Sequence, residues 1–199
     1  MHLPWSPGVS NDDRIMPTIP FEGERVIVTE KLDGENTTMY RDHIHARSLE
    51  TAYHPSRNWV KSFHGTFCYR MPEWMRICGE NMFAQHSIQY DDLESYFYGF
   101  SIWSGVICLD WDTTMGWLED FGIPSAPILY DGIYDRDVLT QIENNMDFEK
   151  QEGYTIRSAS LFPMIEFSSR VGKYVRKGHV QTDEHWMTKS VKPNKLRMK

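Results

Sequence analysis

The first clear signal along the chain is Arg25-Val26-Ile27-Val28-Thr29-Glu30, a run rich in β-branched residues that predicts a strand. Asp33-Gly34 then marks a turn, and Thr37-Thr38-Met39-Tyr40 predicts the returning strand. A third strand is expected over 43–47. Trp59, Val60, Phe63 and Phe67 recur at helical spacing after Ser56, a suitable N-cap, so a helix is expected there. Apolar runs predict strands over 76–80 and 96–103, and helices are expected over 113–121 and 135–146. Three more strand-like stretches follow, over 154–157, 164–167 and 171–176. The opening segment up to Pro20 is rich in Pro, Gly, Ser and Asp and reads as extended and turned. No repeat, low-complexity tract or linker divides the chain, so residues 1–199 are expected to form one domain. Runs of strands with inserted helices, rather than strict β–α alternation, predict an α+β fold built on antiparallel sheet.

Composition narrows the class. At 199 residues, 40% of them hydrophobic and 14% aromatic, the chain has the means to bury a sizeable core and is not a disordered polymer. No apolar run approaches the roughly 20 residues of a membrane helix, and the opening stretch has no signal-peptide core. Cys68, Cys78 and Cys108 are odd in number and form no Cys-x-x-Cys pair, which excludes a disulfide framework and a cysteine-rich zinc site. A cytoplasmic protein without a membrane partner is the expectation.

Charge adds an asymmetry that the net value of −7 hides. Residues 170–199 hold nine Lys/Arg against two Asp/Glu, or +7, and residues 1–169 hold 12 against 26, or −14. An acidic body with a basic tail over 178–199 suits either a solvated tail or contact with phosphates. That tail is too short to bury a core of its own, because chains below about 40 residues rarely fold unaided. It is expected to stay loose or to lie along the domain as a contact for phosphates.

The chemistry begins at Glu30-Lys31-Leu32-Asp33-Gly34-Glu35-Asn36. Lys31 leaves an apolar strand just before a tight turn, which presents its amine at the edge of a cleft. A protonated lysine is a poor nucleophile, with an ordinary pKa of about 10.4. Burial or neighbouring cations would lower that value and free the lone pair. Histidine pairs at His43 and His45, and at His179 and His185, lack zinc-ligand spacing. Asn11-Asp12-Asp13-Arg14 suits a turn or a cap on a pocket entrance, and His179, Thr182, His185 and Trp186 are types that can contact a nucleic-acid end.

Other motifs follow in order: Arg47; Ile77-Cys78-Gly79-Glu80-Asn81-Met82-Phe83; Phe97-Tyr98-Gly99-Phe100; Glu152-Gly153-Tyr154-Thr155-Ile156-Arg157; and Gly172-Lys173-Tyr174-Val175-Arg176-Lys177. Together with the Lys31 string, over about residues 24–177, this order resembles the covalent nucleotidyltransferases, and within them the ATP-dependent RNA ligases related to the second RNA ligase of T-even phages. The resemblance implies an ATP-grasp-like nucleotidyltransferase domain, in which antiparallel sheets flanked by helices enclose a nucleotide cleft. It implies that Lys31 attacks the α-phosphorus of ATP to form a lysyl-adenylate, that AMP passes to a 5′-phosphate, and that this end is sealed to a 3′-hydroxyl.

The roles of other residues follow from the same resemblance. Lys31, Asp33, Glu152 and Lys173 would be catalytic. Glu30, Lys31, Gly34, Arg47, Glu80, Phe100, Glu152, Arg157, Lys173 and Arg176 would bind the nucleotide. Glu80 would take a ribose hydroxyl, with Gly79 allowing close approach, Phe100 would stack on the base, and Glu152 would hold Mg²⁺ or Mn²⁺. Lys173 and Arg176 would be the paired cations of the last motif, an assignment that needs a bulge or strand end because alternation puts them on opposite faces. Ser101 stands where the family often has Asp. RNA ends are the implied partners, and an end-healing kinase or phosphatase is a compatible one. A GTP-dependent capping-type enzyme, a DNA ligase and a catalytically silent nucleic-acid-binding module are the alternatives.

Overall fold

The computed structural model describes residues 1–9, 13–16, 19–46, 54–178 and 191–198. Its first strand, β1 (Arg25–Glu30), coincides with the β-branched run, and Val26, Ile27 and Val28 are all fully buried. Burial on both faces follows from its position, between β7 (Ile128–Ile133) and β8 (Gly153–Ser158). β10 (Val171–Val175) pairs with β8, giving one sheet in the order β10-β8-β1-β7.

The second sheet has the order β3-β2-β4-β5-β6-β9. Its strands are β2 (Glu35–Met39), β3 (Ile44–Ala46), β4 (Met75–Asn81), β5 (Phe97–Ser104), β6 (Ile107–Cys108) and β9 (Phe162–Pro163). Every pairing between these named strands, in both sheets, is antiparallel. β4 alternates strictly between buried and half-buried positions, the signature of a strand with one face in the core.

Helices cover the outer faces. α1 (Asn58–Gly65) and α2 (Trp111–Phe121) bring Val60, Leu118 and Phe121 onto Met39, Met75, Ile77, Phe97 and Ile102 of the larger sheet. α3 (Arg136–Asn145) brings Leu139 onto Val26, Val28, Tyr154 and Ile156 of the smaller one, beside Leu3, Met16 and Phe21 of the opening segment. Side-chain caps start α2 and α3: Asp110 accepts from the Thr113 N–H and Asp135 from those of Asp137 and Val138. Gly122 closes α2 in the left-handed conformation, φ 68°. The α+β expectation, with antiparallel sheets flanked by helices, holds.

One local expectation fails. The stretch over 164–167 is not a strand; Met164–Glu166 is a 3₁₀ turn leading into the single-turn α4 (Phe167–Arg170). Between the antiparallel neighbours β8 and β10 the chain leaves the sheet and gives β9 to the other one before it returns. β7 arises in a stretch where no element is expected. Over 191–198 the basic tail lies along the domain, with Lys195 and Arg197 each 3.0 Å from a carboxylate of the body, Asp91 and Asp92. Among the described residues no helix is long and apolar enough to cross a membrane.

Candidate active site

Both sheets line a cleft of about 1080 Å³, at the upper end of what small-molecule sites occupy. β1 ends in it. The Glu30 N–H donates to the Pro127 carbonyl and the Lys31 N–H to the Gly153 carbonyl, which fixes the point where the chain leaves the sheet. The Lys31 side chain turns into the cleft, and its Nζ donates to Glu152 Oε2 at 2.6 Å. Burial pulls the Lys31 pKa down, but Glu152, Glu80 and Asp33 together outweigh it and hold the ammonium above the ordinary lysine range. The expected depression of this pKa is therefore corrected: the negative charges of its carboxylate neighbours keep the amine protonated.

Glu80 faces the same lysine from β4. Its Oε1 accepts the Gly34 N–H at 3.2 Å, and burial, opposed by Lys31, pushes the carboxyl up to about 7. Glu30 also lines the cleft; its carboxyl accepts from Gln151 Nε2 and is raised by burial. Phe100 also lines the cleft, and beside it Ser101 Oγ accepts from Trp103 Nε1. Lys173 enters from β10, where its neighbour across the strands is Thr155, and its Nζ lies 4.0 Å from Asp13.

Arg157 reaches the cleft but is buried as a strut between the sheets. Its guanidinium donates to the carbonyls of Ser158, Phe100 and Leu109 and sits against the Trp111 and Phe162 rings. Gly34 lines the cleft, and a Cβ there would meet the Asn81 carbonyl at 2.6 Å and Met82 Sδ at 2.7 Å. Gly79 does not line it. A Cβ there would overlap the Phe97 ring and the Tyr98 carbonyl, so the glycine is required by strand packing at the register shift between Cys78 and Gly79.

Asp33 points elsewhere. Its Oδ2 accepts the N–H and the hydroxyl of Ser87 and the N–H of Ile88, so the carboxylate clamps a neighbouring loop. Arg176 lies past the end of β10; its N–H donates to the Glu152 carbonyl, and it does not line the cleft. Arg47, Asn11, Asp12, His179, Thr182, His185 and Trp186 lie outside the described residues.

Glu35, Arg57 and His86 line the cleft without a role in the sequence expectations. Glu35 accepts from Arg57 Nε through both carboxylate oxygens, at 3.0 and 2.9 Å, and also from Nη2. Glu35, Thr37, Thr38 and Met39 of β2 are all buried, so a glutamate at the head of that strand signals a buried charge in need of a partner. His86 lines the same cleft, its pKa lowered by burial.

Among the described residues no three or more His, Cys, Asp or Glu side chains converge as a metal site. The donor set nevertheless suits a hard divalent cation. Mg²⁺ is commonly held by one or two carboxylates with substrate phosphates supplying further oxygens, and Glu152 and Glu80 both face a single ammonium.

A family model described as RNA ligase matches residues 24–175. The chain belongs to the RNA ligase family. No curated protein is similar enough to match. Among solved structures, an archaeal ATP-dependent RNA ligase in its second form superposes with a TM-score of 0.61 at 18% identity, over 86% of this chain and 48% of that one. A Naegleria gruberi RNA ligase with PPi gives 0.56 at 21%, over 87% and 57%. A variant of the Naegleria enzyme with ATP and Mn gives 0.54 at 23%, over 85% and 54%. At these identities the likeness concerns the fold. This RNA ligase family member spans about half the length of those chains.

Proposed function

We propose that this chain is the nucleotidyl-transferring part of an ATP-dependent RNA ligase. One observation carries the reading: Lys31, the only lysine of the motif string, is held by Glu152 at 2.6 Å inside a cleft that Glu80, Phe100 and Lys173 share. Lys31 Nζ gives up its proton to solvent and bonds to the α-phosphorus of ATP while the bond from that phosphorus to the pyrophosphate oxygen breaks and pyrophosphate leaves. The AMP then passes to an RNA 5′-phosphate, and the 3′-hydroxyl of a second end displaces it. Splitting one transfer into covalent steps is the established advantage of such a nucleophile.

The other residues position and neutralise. Glu80, kept partly protonated by burial, offers a hydrogen bond to a ribose hydroxyl, and Phe100 offers a face for the base. Lys173 stands where it can meet phosphate oxygens. Glu152 would hold Mg²⁺ or Mn²⁺, which supplies charge neutralisation at the phosphates. Arg157 positions the cleft wall, Arg176 follows the end of β10 beside Glu152, Asp33 clamps the loop before β5, and Arg47 would meet a phosphate or the RNA end. RNA ends lacking a 5′-phosphate or a 3′-hydroxyl would need an end-healing kinase or phosphatase first. Three free cysteines suit a reducing, cytoplasmic compartment.

Incubation with labelled ATP, GTP and NAD separately, with Mg²⁺ present, tests the reading. Label on protein from ATP, followed by transfer to a 5′-phosphorylated RNA, is the expected result. Label from GTP alone points to a capping-type enzyme, transfer to DNA ends but not RNA ends points to a DNA ligase, and no label from any donor points to a silent module.

A further inference from the structure

Residues 191–198 form a strap across the loop over 82–93, opposite the side that faces the lysine motif. Backbone bonds stitch the two together: Gln85 N–H to the Lys192 carbonyl, Asn194 N–H to that of Phe83, Lys195 N–H to that of Tyr90, and Leu93 N–H to that of Lys195. Asn194 is the buried centre of the strap, 1% exposed. Its Oδ1 accepts the Tyr90 N–H at 3.0 Å, its Nδ2 donates to the Met82 carbonyl at 2.8 Å, and its own carbonyl accepts from Tyr96 Oη.

The other side of that loop grips the lysine motif. Tyr90 Oη accepts the Asp33 N–H at 3.2 Å, while Ser87 and Ile88 donate to Asp33 Oδ2 at 2.6 to 2.9 Å. Leu32 packs with Met82, Leu93 and Tyr98. Each contact is local, and together they run without a gap from Asn194 through Tyr90 to Asp33, two residues from Lys31.

We propose that Asn194 is a positioning residue for Lys31: by fixing the loop over 82–93 it fixes the turn that aims the amine into the cleft. The proposal rests on the adenylation reading above. Asn suits the position because it supplies one acceptor and two donors in a buried place, where an unmet backbone N–H or carbonyl is costly. Asp lacks the donors, Ala lacks both, and Gln is one methylene too long for a packed site. A misplacement of about 1 Å at a reacting group is enough to cost on the order of 100-fold in rate, so a small relaxation of this loop is visible in the chemistry.

The test is single-turnover adenylation of the full chain with labelled ATP, reading the rate constant and the fraction of chains labelled separately. At saturating ATP, Asn194→Ala is expected to lower the rate constant on the order of tenfold with the labelled fraction unchanged. Tyr90→Phe, which removes the acceptor for the Asp33 N–H, is expected to do the same. The double variant should be no slower than the slower single one, because both changes cut the same chain of contacts. Lys195→Ala, on the exposed side of the strap, should match wild type. Wild-type rate constants with only a smaller labelled fraction would show a purely structural strap and overturn the proposal, as would losses that simply add. If Asn194→Ala does not fold, Tyr90→Phe decides alone, and a wild-type rate constant there overturns the proposal. A wild-type chain that takes no label overturns the ligase reading and this one with it.

Discussion

Lys31 Nζ and Glu152 Oε2 are 2.6 Å apart, so the candidate nucleophile rests as one half of an ion pair. The pairing holds the amine in place and also keeps it protonated, because Glu152, Glu80 and Asp33 outweigh the effect of burial. Reaction therefore requires that the proton be lost once the phosphates and their counter-ions change the balance of charge in the cleft. Lys31→Ala and Lys31→Arg are both expected to take no adenylate. Arg keeps the charge and can pair with Glu152, but guanidinium offers no lone pair at any usable pH. Intact mass after ATP exposure checks this, and a lasting adduct in either variant would place the nucleophile elsewhere.

Glu152→Gln separates the two roles of that carboxylate. Without the negative charge the Lys31 pKa falls, so the rising limb of the adenylation rate is expected to move to lower pH. The plateau itself should drop on the order of 100-fold, the scale of losing one group that stabilises transition-state charge. The pH–rate profile in Mg²⁺ reads both effects. An unchanged limb would mean that Glu152 does not set the lysine's protonation.

Glu80 makes the protein less stable as pH rises. Its carboxyl, ordinarily 4.5, titrates at about 7 in the fold because burial disfavours the charged form. Between those values the folded chain holds a proton that the unfolded chain has released, so stability falls across that window and the deficit is complete above pH 7. The shift corresponds to about 3 kcal/mol at ~1.4 kcal/mol per unit. Glu80→Gln cannot ionise and is expected to flatten this dependence, gaining stability at alkaline pH while losing ribose recognition. Chemical denaturation of both proteins below and above the window tests it. Parallel pH dependences would refute the assignment.

Lys173 and Arg176 are not equivalent in the structure. β10 stops at Val175, so Lys173 projects into the cleft from inside the strand and Arg176 follows its end, bonded through its N–H to the Glu152 carbonyl. Lys173→Ala is expected to slow adenylation by about 10-fold or more, the scale of a lost charge on transferring phosphate. Arg176→Ala should change it by no more than about 3-fold, well under one full contact. Single-turnover rates at saturating ATP decide, and equal losses would assign both cations to the phosphates.

Sequence carried the strands and helices wherever one residue pattern served one environment. β1 is legible because Val26, Ile27 and Val28 are buried whichever way they face, and α3 because its expected start at Asp135 is the capping residue, whereas α2, expected from Thr113, starts at Trp111 behind Asp110. β7 is not, because Ile128 and Ile133 stay exposed and Asp131, beside a glycine, points at Arg25. The site divides in the same way. Lys31, Glu80, Phe100 and Lys173 stand out as motif positions, and the structure gathers them into one cleft. Asp33 looks like its neighbours in the string but is turned toward Ser87 by partners 54 residues away, and only the folded chain shows that. Asn194 carries no sequence signal at all, since its importance lies in which backbone groups come to surround it.

Arg57 and Glu35 provide the last prediction. The side chains are 10% and 8% exposed, and Arg57 Nε meets both carboxylate oxygens, so neither charge has ready access to water. Removing one member of such a pair strands the other, at a cost of about 3–5 kcal/mol. A domain has about 5–15 kcal/mol in total, so Arg57→Ala is expected to bring the chain close to unfolding. Replacing both with apolar residues of similar volume, as in Glu35→Met with Arg57→Met, removes the stranded charge and should recover most of that loss. Because the pair lines the cleft, the doubly changed chain also tells whether it has a second purpose. Recovered stability with slowed adenylation would mean that these charges shape the site, and recovery of both would mean that they only hold β2 against the turn before α1. Denaturant unfolding of the unchanged chain and of these two variants makes the comparison. A loss under about 1 kcal/mol in Arg57→Ala, the range of an exposed ion pair, would contradict the burial seen here.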